Sequence, residues 1–269
     1  MSLTRFLGVV FAAAGMATAS ASPLVAEPLD ATEVVNRMHK AFFYQGESLR
    51  ARVKMTLSSA DVKQRIRELV MLRLNMPLAG EQRYFMYFHS PGDVRGMSFL
   101  VYKYPAKEDD RWLFIPALSL VQRVAARDAG SSFVGSDFTY EDVSGRDLEA
   151  DEHKLLREED HKGKPCFVIE SVAKGAASYK KRISWIDKSS YLPLREEYSD
   201  VQGKVFKEFT AGEIREVEGI PTMMTRTMKS LKTGHQTLVE FSDVRYRLAL
   251  KPDDFGERSL RNPPNSWIE

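Results

Sequence analysis

The stretch Arg50-Ala51-Arg52-Val53-Lys54-Met55-Thr56-Leu57 alternates polar and apolar side chains without interruption. A period of two marks a strand that buries one face and turns the other to water. Just upstream the period is that of a helix. Val34, Val35, Met38 and Phe42 recur on one side, opposite Glu33, Asn36, Arg37 and Lys40. Asp30 stands as a candidate N-cap with Glu33 in the capping-box position, and Gly46 offers a stop, so an amphipathic helix over residues 32–44 is expected.

Downstream the alternation returns over residues 65–75, 82–89, 97–104, 111–115, 154–158, 166–172, 179–186, 194–198, 204–210, 222–231 and 236–246. Short turn signals separate many of these segments, among them Pro91-Gly92-Asp93, Lys162-Gly163-Lys164-Pro165, Asp200-Val201-Gln202-Gly203 and Lys232-Thr233-Gly234-His235. Links this short join antiparallel neighbours, and no crossover helices interrupt the series, so a parallel α/β fold is excluded. The expectation is one continuous, curled antiparallel sheet with the N-terminal helix on its concave side. The long gap from Pro116 to about Asp151 is read as a loop with a helical turn, and ordered loops of this length usually carry function.

The N-terminus has one positive charge at Arg5, an apolar run from Phe6 to Met16, and then Ala19-Ser20-Ala21. This is the pattern of a secretory signal peptide, residues 1–21, with cleavage expected after Ala21. The apolar run is shorter than the roughly 20 residues a membrane-spanning helix needs. Residues 22–269 are then expected to form one domain, exported to a bacterial periplasm. The single cysteine, Cys166, cannot form an internal disulfide, and its apolar setting before Phe167-Val168-Ile169 reads as a buried, inert thiol.

A formal charge of +2 over 269 residues leaves no electrostatic footprint for nucleic acid. The five histidines stand far apart, without metal-ligand spacing, and no nucleophile elbow, phosphate loop or dinucleotide fingerprint is present. The acidic clusters Glu108-Asp109-Asp110 and Asp137, Glu141, Asp142, Asp147 lack the spacing of a calcium loop. No catalytic residue, metal site or cofactor is assigned.

What stands out is apolar. Tyr84, Met86 and Phe88 alternate with Phe85 and Tyr87, and Met97, Phe99 and Val101 with Leu100 and Tyr102, so both faces of the sheet need a cover. Either the long loop covers the second face, or the concave side encloses a lipid-sized cavity. Trp112 and Phe114 should share one face and Leu113 and Ile115 the other, and the Trp112 face is assigned to the cavity. The candidate lipid-contacting set is Val34, Val35, Met38, Phe42, Phe85, Tyr87, Met97, Phe99, Trp112, Phe114, Met224 and Met228. Phe133, Phe138 and Tyr140 are too apolar for a solvated loop and are expected to close the mouth as a gate, with Asp137 fixing their turn through nearby backbone N–H groups.

The segment from Asp109-Asp110-Arg111-Trp112-Leu113-Phe114-Ile115-Pro116, through Val121-Gln122-Arg123-Val124, to Ser132-Phe133-Val134-Gly135-Ser136-Asp137-Phe138-Thr139-Tyr140-Glu141-Asp142 resembles the outer-membrane lipoprotein-sorting (LolA-like) family. Gly96-Met97-Ser98-Phe99-Leu100 and Leu250-Lys251-Pro252-Asp253-Asp254-Phe255 extend the resemblance over most of residues 22–269, in a divergent branch. It implies an unclosed β half-barrel of about eleven strands with helices in its mouth. The function it implies is that of a monomeric periplasmic carrier of lipid or lipoprotein acyl chains between an inner-membrane exporter, of the resistance-nodulation-division type, and an outer-membrane acceptor. The alternative is a lipid-sensing adaptor docked on such an exporter. A hydrolase would need a nucleophile that the sequence does not supply.

Overall fold

A computed structural model of the protein describes residues 30–59, 62–78, 80–105 and 107–269. The expected signal segment and its cleavage site lie outside them. The alternating stretch forms β1 (Ser48–Ser59), and from it the chain steps outward through β2 (Val62–Asn75), β3 (Gln82–Ser90), β4 (Ser98–Lys103), β5 (Asp110–Ile115) and β6 (Leu120–Arg123). Residues 124–150 cross to the other end of the sheet. There β7 (Asp151–His161) begins a return through β8 (Lys164–Ala173), β9 (Lys181–Asp187), β10 (Pro193–Ser199) and β11 (Val205–Ala211). After a separate ribbon of β12 (Ile214–Val217) and β13 (Ile220–Met223), β14 (Thr225–Ser230) and β15 (Gln236–Tyr246) complete the sheet, and β15 pairs with β1.

The result is a single unclosed antiparallel sheet of 13 strands, mainly β with few helices, as expected in kind but larger than the eleven anticipated. Among the sheet strands, β6 is the one that has no counterpart in the periodic segments, because four residues are too few to show a period. Residues 222–231, read as one strand, divide between the ribbon and β14, which leaves the count in the sheet unchanged.

Register separates the two faces. Ala51 lies opposite Met71, Met71 opposite Met86, Met86 opposite Phe99, and Phe99 opposite Leu113, one row across five strands. One residue along, Leu72, Phe85, Leu100 and Trp112 form the parallel row on the other face. The first row belongs to the main core, which faces the crossing segment 124–150. The second packs against the C-terminal segment, where Leu250, Phe255, Leu260 and Ile268 are buried, the last in the one-turn helix α3 (Asn265–Ile268). Polar side chains fasten that segment: Ser98 donates to the Leu260 carbonyl (2.6 Å), Tyr102 to that of Phe255 (2.8 Å) and Arg50 to that of Trp267 (2.7 Å). Both faces are therefore covered, but the outer cover is the chain's end and not the long loop.

The expected helix is α1, spanning Ala31–Phe43. Val34, Val35 and Met38 bury themselves against Ile169 and Ile186 on the inner face, while Phe42 reaches the main core beside Phe209, with 6.2 Å between ring centres. Its start differs from expectation. Asp30 caps through no side-chain bond, and Glu33 turns to Arg37 (2.8 Å) and Asn36 (3.2 Å). Gly46 follows with φ +71°, and a Cβ there would lie 2.5 Å from the Tyr246 ring, so both backbone and space call for glycine. Cys166 is buried, and its thiol is pushed up to about 11 by that burial, which removes it as a nucleophile near neutral pH.

Candidate functional site

The crossing segment closes the concave side. At Phe133–Gly135 the backbone turns through positive φ at Val134 (49°) and Gly135 (72°), which drives Phe133 down onto the sheet. Thr139 and Asp142 then form a reciprocal capping box that starts the short helix α2 (Tyr140–Ser144). Phe133, Phe138 and Tyr140 are all buried in the main core. Ring centres lie 5.2 Å apart for Phe99 and Phe133, 5.3 Å for Phe99 and Tyr140, and 5.7 Å for Phe133 and Tyr140. These are the spacings of favourable aromatic pairs.

Polar ties hold the segment to distant strands. The Asp137 carboxylate accepts from Thr237 Oγ1 (2.7 Å) and meets His235 Nδ1 (2.6 Å), while the Asp137 N–H donates back to Thr237 (3.0 Å). Asp137 thus joins the segment to the β14–β15 hairpin, where a local turn had been expected; Thr237, 100 positions away in sequence, satisfies it instead. Asp142 pairs with Lys207 of β11 at 2.9 Å, and Arg146 with Glu141 and with Asp151 of β7 at 2.8 and 2.9 Å.

Beside these ties the inner face carries a polar band that sequence reasoning did not single out. Tyr179 donates to Asp151 (2.6 Å), Ser184 and Tyr198 donate to Glu196 (2.8 and 2.6 Å), and Arg182 lies 3.6 Å from Glu196. Burial, reinforced by the adjoining carboxylates, holds the Tyr179 and Tyr198 hydroxyls protonated well above the ordinary tyrosine range. Among the described residues no group of three or more His, Cys, Asp or Glu side chains is placed to hold a metal, and no helix is long and apolar enough to cross a membrane.

The same band governs His39. Burial first, and then Arg182, Lys103 and His153, push its imidazole from 6.5 down to about 3, against an opposing pull from Asp151. The folded value lies below the unfolded one. The unfolded chain therefore takes up the extra proton between about pH 6.5 and pH 3, and stability that is complete above 6.5 is lost as the pH falls through that window. Urea midpoints measured from pH 7 to pH 4 are expected to fall less steeply in His39→Gln than in the parent. Equal slopes would remove His39 as a contributor.

Among the described residues, cavities of about 70, 40 and 30 Å³ lie beneath α1 and the crossing segment, each too small for the lipid-sized space considered from the sequence. The aromatic rings fill what would otherwise be the trough. A cleft of about 560 Å³ opens at the rim, where Lys103, Arg111, Arg146 and Lys174 are interspersed with Asp109, Glu141 and Asp147.

Of the candidate residues, Val34, Val35, Met38, Phe42, Met97, Phe99 and Met228 lie on the inner side. Phe85, Tyr87, Trp112 and Phe114 do not; they lie in the outer cluster beneath the C-terminal segment. The alternation of Trp112 and Phe114 against Leu113 and Ile115 is as expected, but the assignment of the Trp112 face to the cavity is reversed. The pleat fixes this, because Trp112 lies opposite Leu100, and Leu100 opposite Phe85. Met224 is buried outside both clusters, and its neighbour Met223 lines the largest of the three internal cavities. With Trp185 and Trp267 replaced by Phe, a brominated fatty acid is expected to leave Trp112 fluorescence unchanged. Strong quenching would move the binding surface to the outer face.

A family model described as "Uncharacterized protein" matches residues 80–262, more than half of the chain. No curated protein matches the sequence. Among solved structures, a domain described as an outer membrane lipoprotein-sorting protein from Vibrio parahaemolyticus is 28% identical, with 86% of this chain and 98% of that one covered and a TM-score of 0.80. A DUF1329 family protein from Desulfovibrio piger is 24% identical over 86% and 97% of the two chains, TM-score 0.80. A LolA superfamily protein from Nitrosomonas europaea is 19% identical over 86% and 99%, TM-score 0.68. The fold is LolA-like, as the sequence resemblance implied.

Proposed function

The chain belongs to the family whose model covers residues 80–262, and from that premise, with the likeness to a lipoprotein-sorting domain beside it, we propose that it is a non-enzymatic periplasmic carrier of acyl chains. One observation carries the reading. Across β1 to β5 the inner face of the sheet is apolar, and its cover there is a strap of aromatic rings fastened to the sheet by polar bonds at Asp137 and Asp142. Such a cover can exchange places with cargo. Each buried CH₂ contributes about 0.8 kcal/mol, so a fourteen-carbon chain gains on the order of 10 kcal/mol by leaving water. That is of the same order as the burial of Phe133, Phe138 and Tyr140 that it would replace. In this reading the segment 1–21 directs the carrier to the space between two membranes, where an acyl chain in transit has to be shielded from water.

Organic extraction of protein purified from its native compartment, followed by mass spectrometry, is expected to release lipid, and a fluorescent fatty acid is expected to bind the stripped protein. Absence of both ends the carrier reading. In Phe138→Ala, loss of a ring from the cover is expected to speed uptake of that probe about tenfold, the equivalent of ~1.4 kcal/mol. If melting temperature falls and uptake does not change, the segment is a plug and not a gate.

A further inference from the structure

The cavity of about 70 Å³ beneath the end of α1 has two arginines in its lining, Arg73 and Arg226, and no carboxylate. Arg73 is 4% exposed and donates to the Phe43 and Gln45 carbonyls at the end of α1, while its Nε has no partner among the described residues. Arg226 is less satisfied still. Its side chain makes no hydrogen bond or ion pair among the described residues, and its buried Nε is without a partner. The guanidinium lies instead against three phenylalanine rings, 4.8 Å from the centre of Phe241, 5.3 Å from Phe42 and 5.7 Å from Phe138. It also borders the two smaller cavities. Asp142 lines those two smaller cavities as well and its charge favours that of Arg226, but it makes no ion pair with it: its Oδ2 is taken by Lys207 and the Thr139 N–H. Desolvation lowers Arg226 to about 10, which leaves it charged at neutral pH. Arg226 is half-buried, and its guanidinium is partly desolvated with no hydrogen-bonded acid beside it among the described residues, so an anion brought against it offsets that cost.

We propose that this cavity is an anion subsite for the carboxylate or phosphate head of an acyl amphiphile, with Arg226 as its principal donor and Arg73 as its neighbour. The inference rests on the carrier reading and specifies its ligand. A cavity of this size holds several water-sized groups, enough for a small head and far too little for an acyl chain. Two of the rings on Arg226 belong to the movable covers, Phe42 on α1 and Phe138 on the crossing segment. When the covers lift, the cation–π contacts are exchanged for the anion, and the chain takes the space the rings leave.

The test measures binding of palmitate, hexadecyl phosphate and hexadecanol to the stripped protein at neutral pH by displacement of a fluorescent probe. At least one of the two anions is expected to bind about tenfold or more tightly than the alcohol, and the tighter of them identifies the head as carboxylate or phosphate. Arg226→Met is expected to bind all three alike, at the parent's affinity for hexadecanol, and Arg226→Lys to recover part of the preference. If the parent binds hexadecanol as well as either anion, or Arg226→Met keeps the preference, the subsite is refuted and the carrier reading stands. If none of the three binds, both fall. Arg226→Met keeps an apolar stem against the three rings and is expected to melt close to the parent; should it fail to fold, the comparison of parent with Arg226→Lys decides the question.

Discussion

Asp151→Ala is expected to lower stability by about 3–5 kcal/mol, the usual cost of breaking a buried charge pair by removing one partner. The Asp151 side chain is only 2% exposed and serves three others: Arg146 at 2.9 Å, the Tyr179 hydroxyl at 2.6 Å and Arg182 at 4.0 Å. Although burial works against the charge on Arg146, the carboxylates of Glu141 and Asp151 hold it above the ordinary arginine range. Without Asp151 two buried guanidinium groups share the remaining acids, and the end of the crossing segment loses its hold on β7. Asp151→Asn keeps the hydrogen-bond geometry without the charge and should fall between the two. A loss below about 1 kcal/mol in urea titrations of the alanine variant would show that the pair is solvated in practice.

Phe255→Ala is expected to cost a further figure of about 3–5 kcal/mol in its own right, as a fully enclosed aromatic truncated to a methyl group. The effect should be visible in the tryptophans as well. Phe255 is the centre of the outer cluster that also contains Trp112 and Trp267. Loosening the C-terminal segment should shift their emission to the red before the sheet itself melts. A variant that melts earlier with no such shift would mean that the segment and the sheet unfold as one unit.

The elements governed by a clear period were legible. Val34, Val35 and Met38 read as one helix face and are one, and Arg50 to Leu57 reads as a strand with Ala51, Val53 and Met55 inward, as it is. Periodicity could not say which face is which once both are covered. Trp112 and Leu113 are equally apolar, and only the position of Phe255 and Leu260 on the Trp112 side distinguishes them. Those C-terminal residues have no period to read, since they lie in short 3-10 turns at Pro252–Phe255 and Glu257–Leu260. The polar band was lost for a related reason. Glu196, Lys207 and Arg226 interrupt rows of apolar side chains, and no local pattern names their surroundings: Glu196 meets Arg182 from the neighbouring strand, Lys207 meets Asp142 of the crossing segment, and Arg226 borders a cavity. The aromatic strap was legible because Phe133, Phe138 and Tyr140 are costly to leave in solvent whatever the backbone does.

The order of the strands has one more consequence. The sheet begins in its middle, at β1, and its two free margins are β6 and β7, which are consecutive in the chain. Residues 124–150 are therefore a cover and a drawstring at once, since they are the direct covalent link between the two lips of the trough. Gathered into turns, they hold the lips at their present spacing; paid out, they let the lips part. Lifting the aromatic rings and widening the trough are in this geometry a single movement, so the girth of whatever enters and the slack in one stretch of chain determine each other.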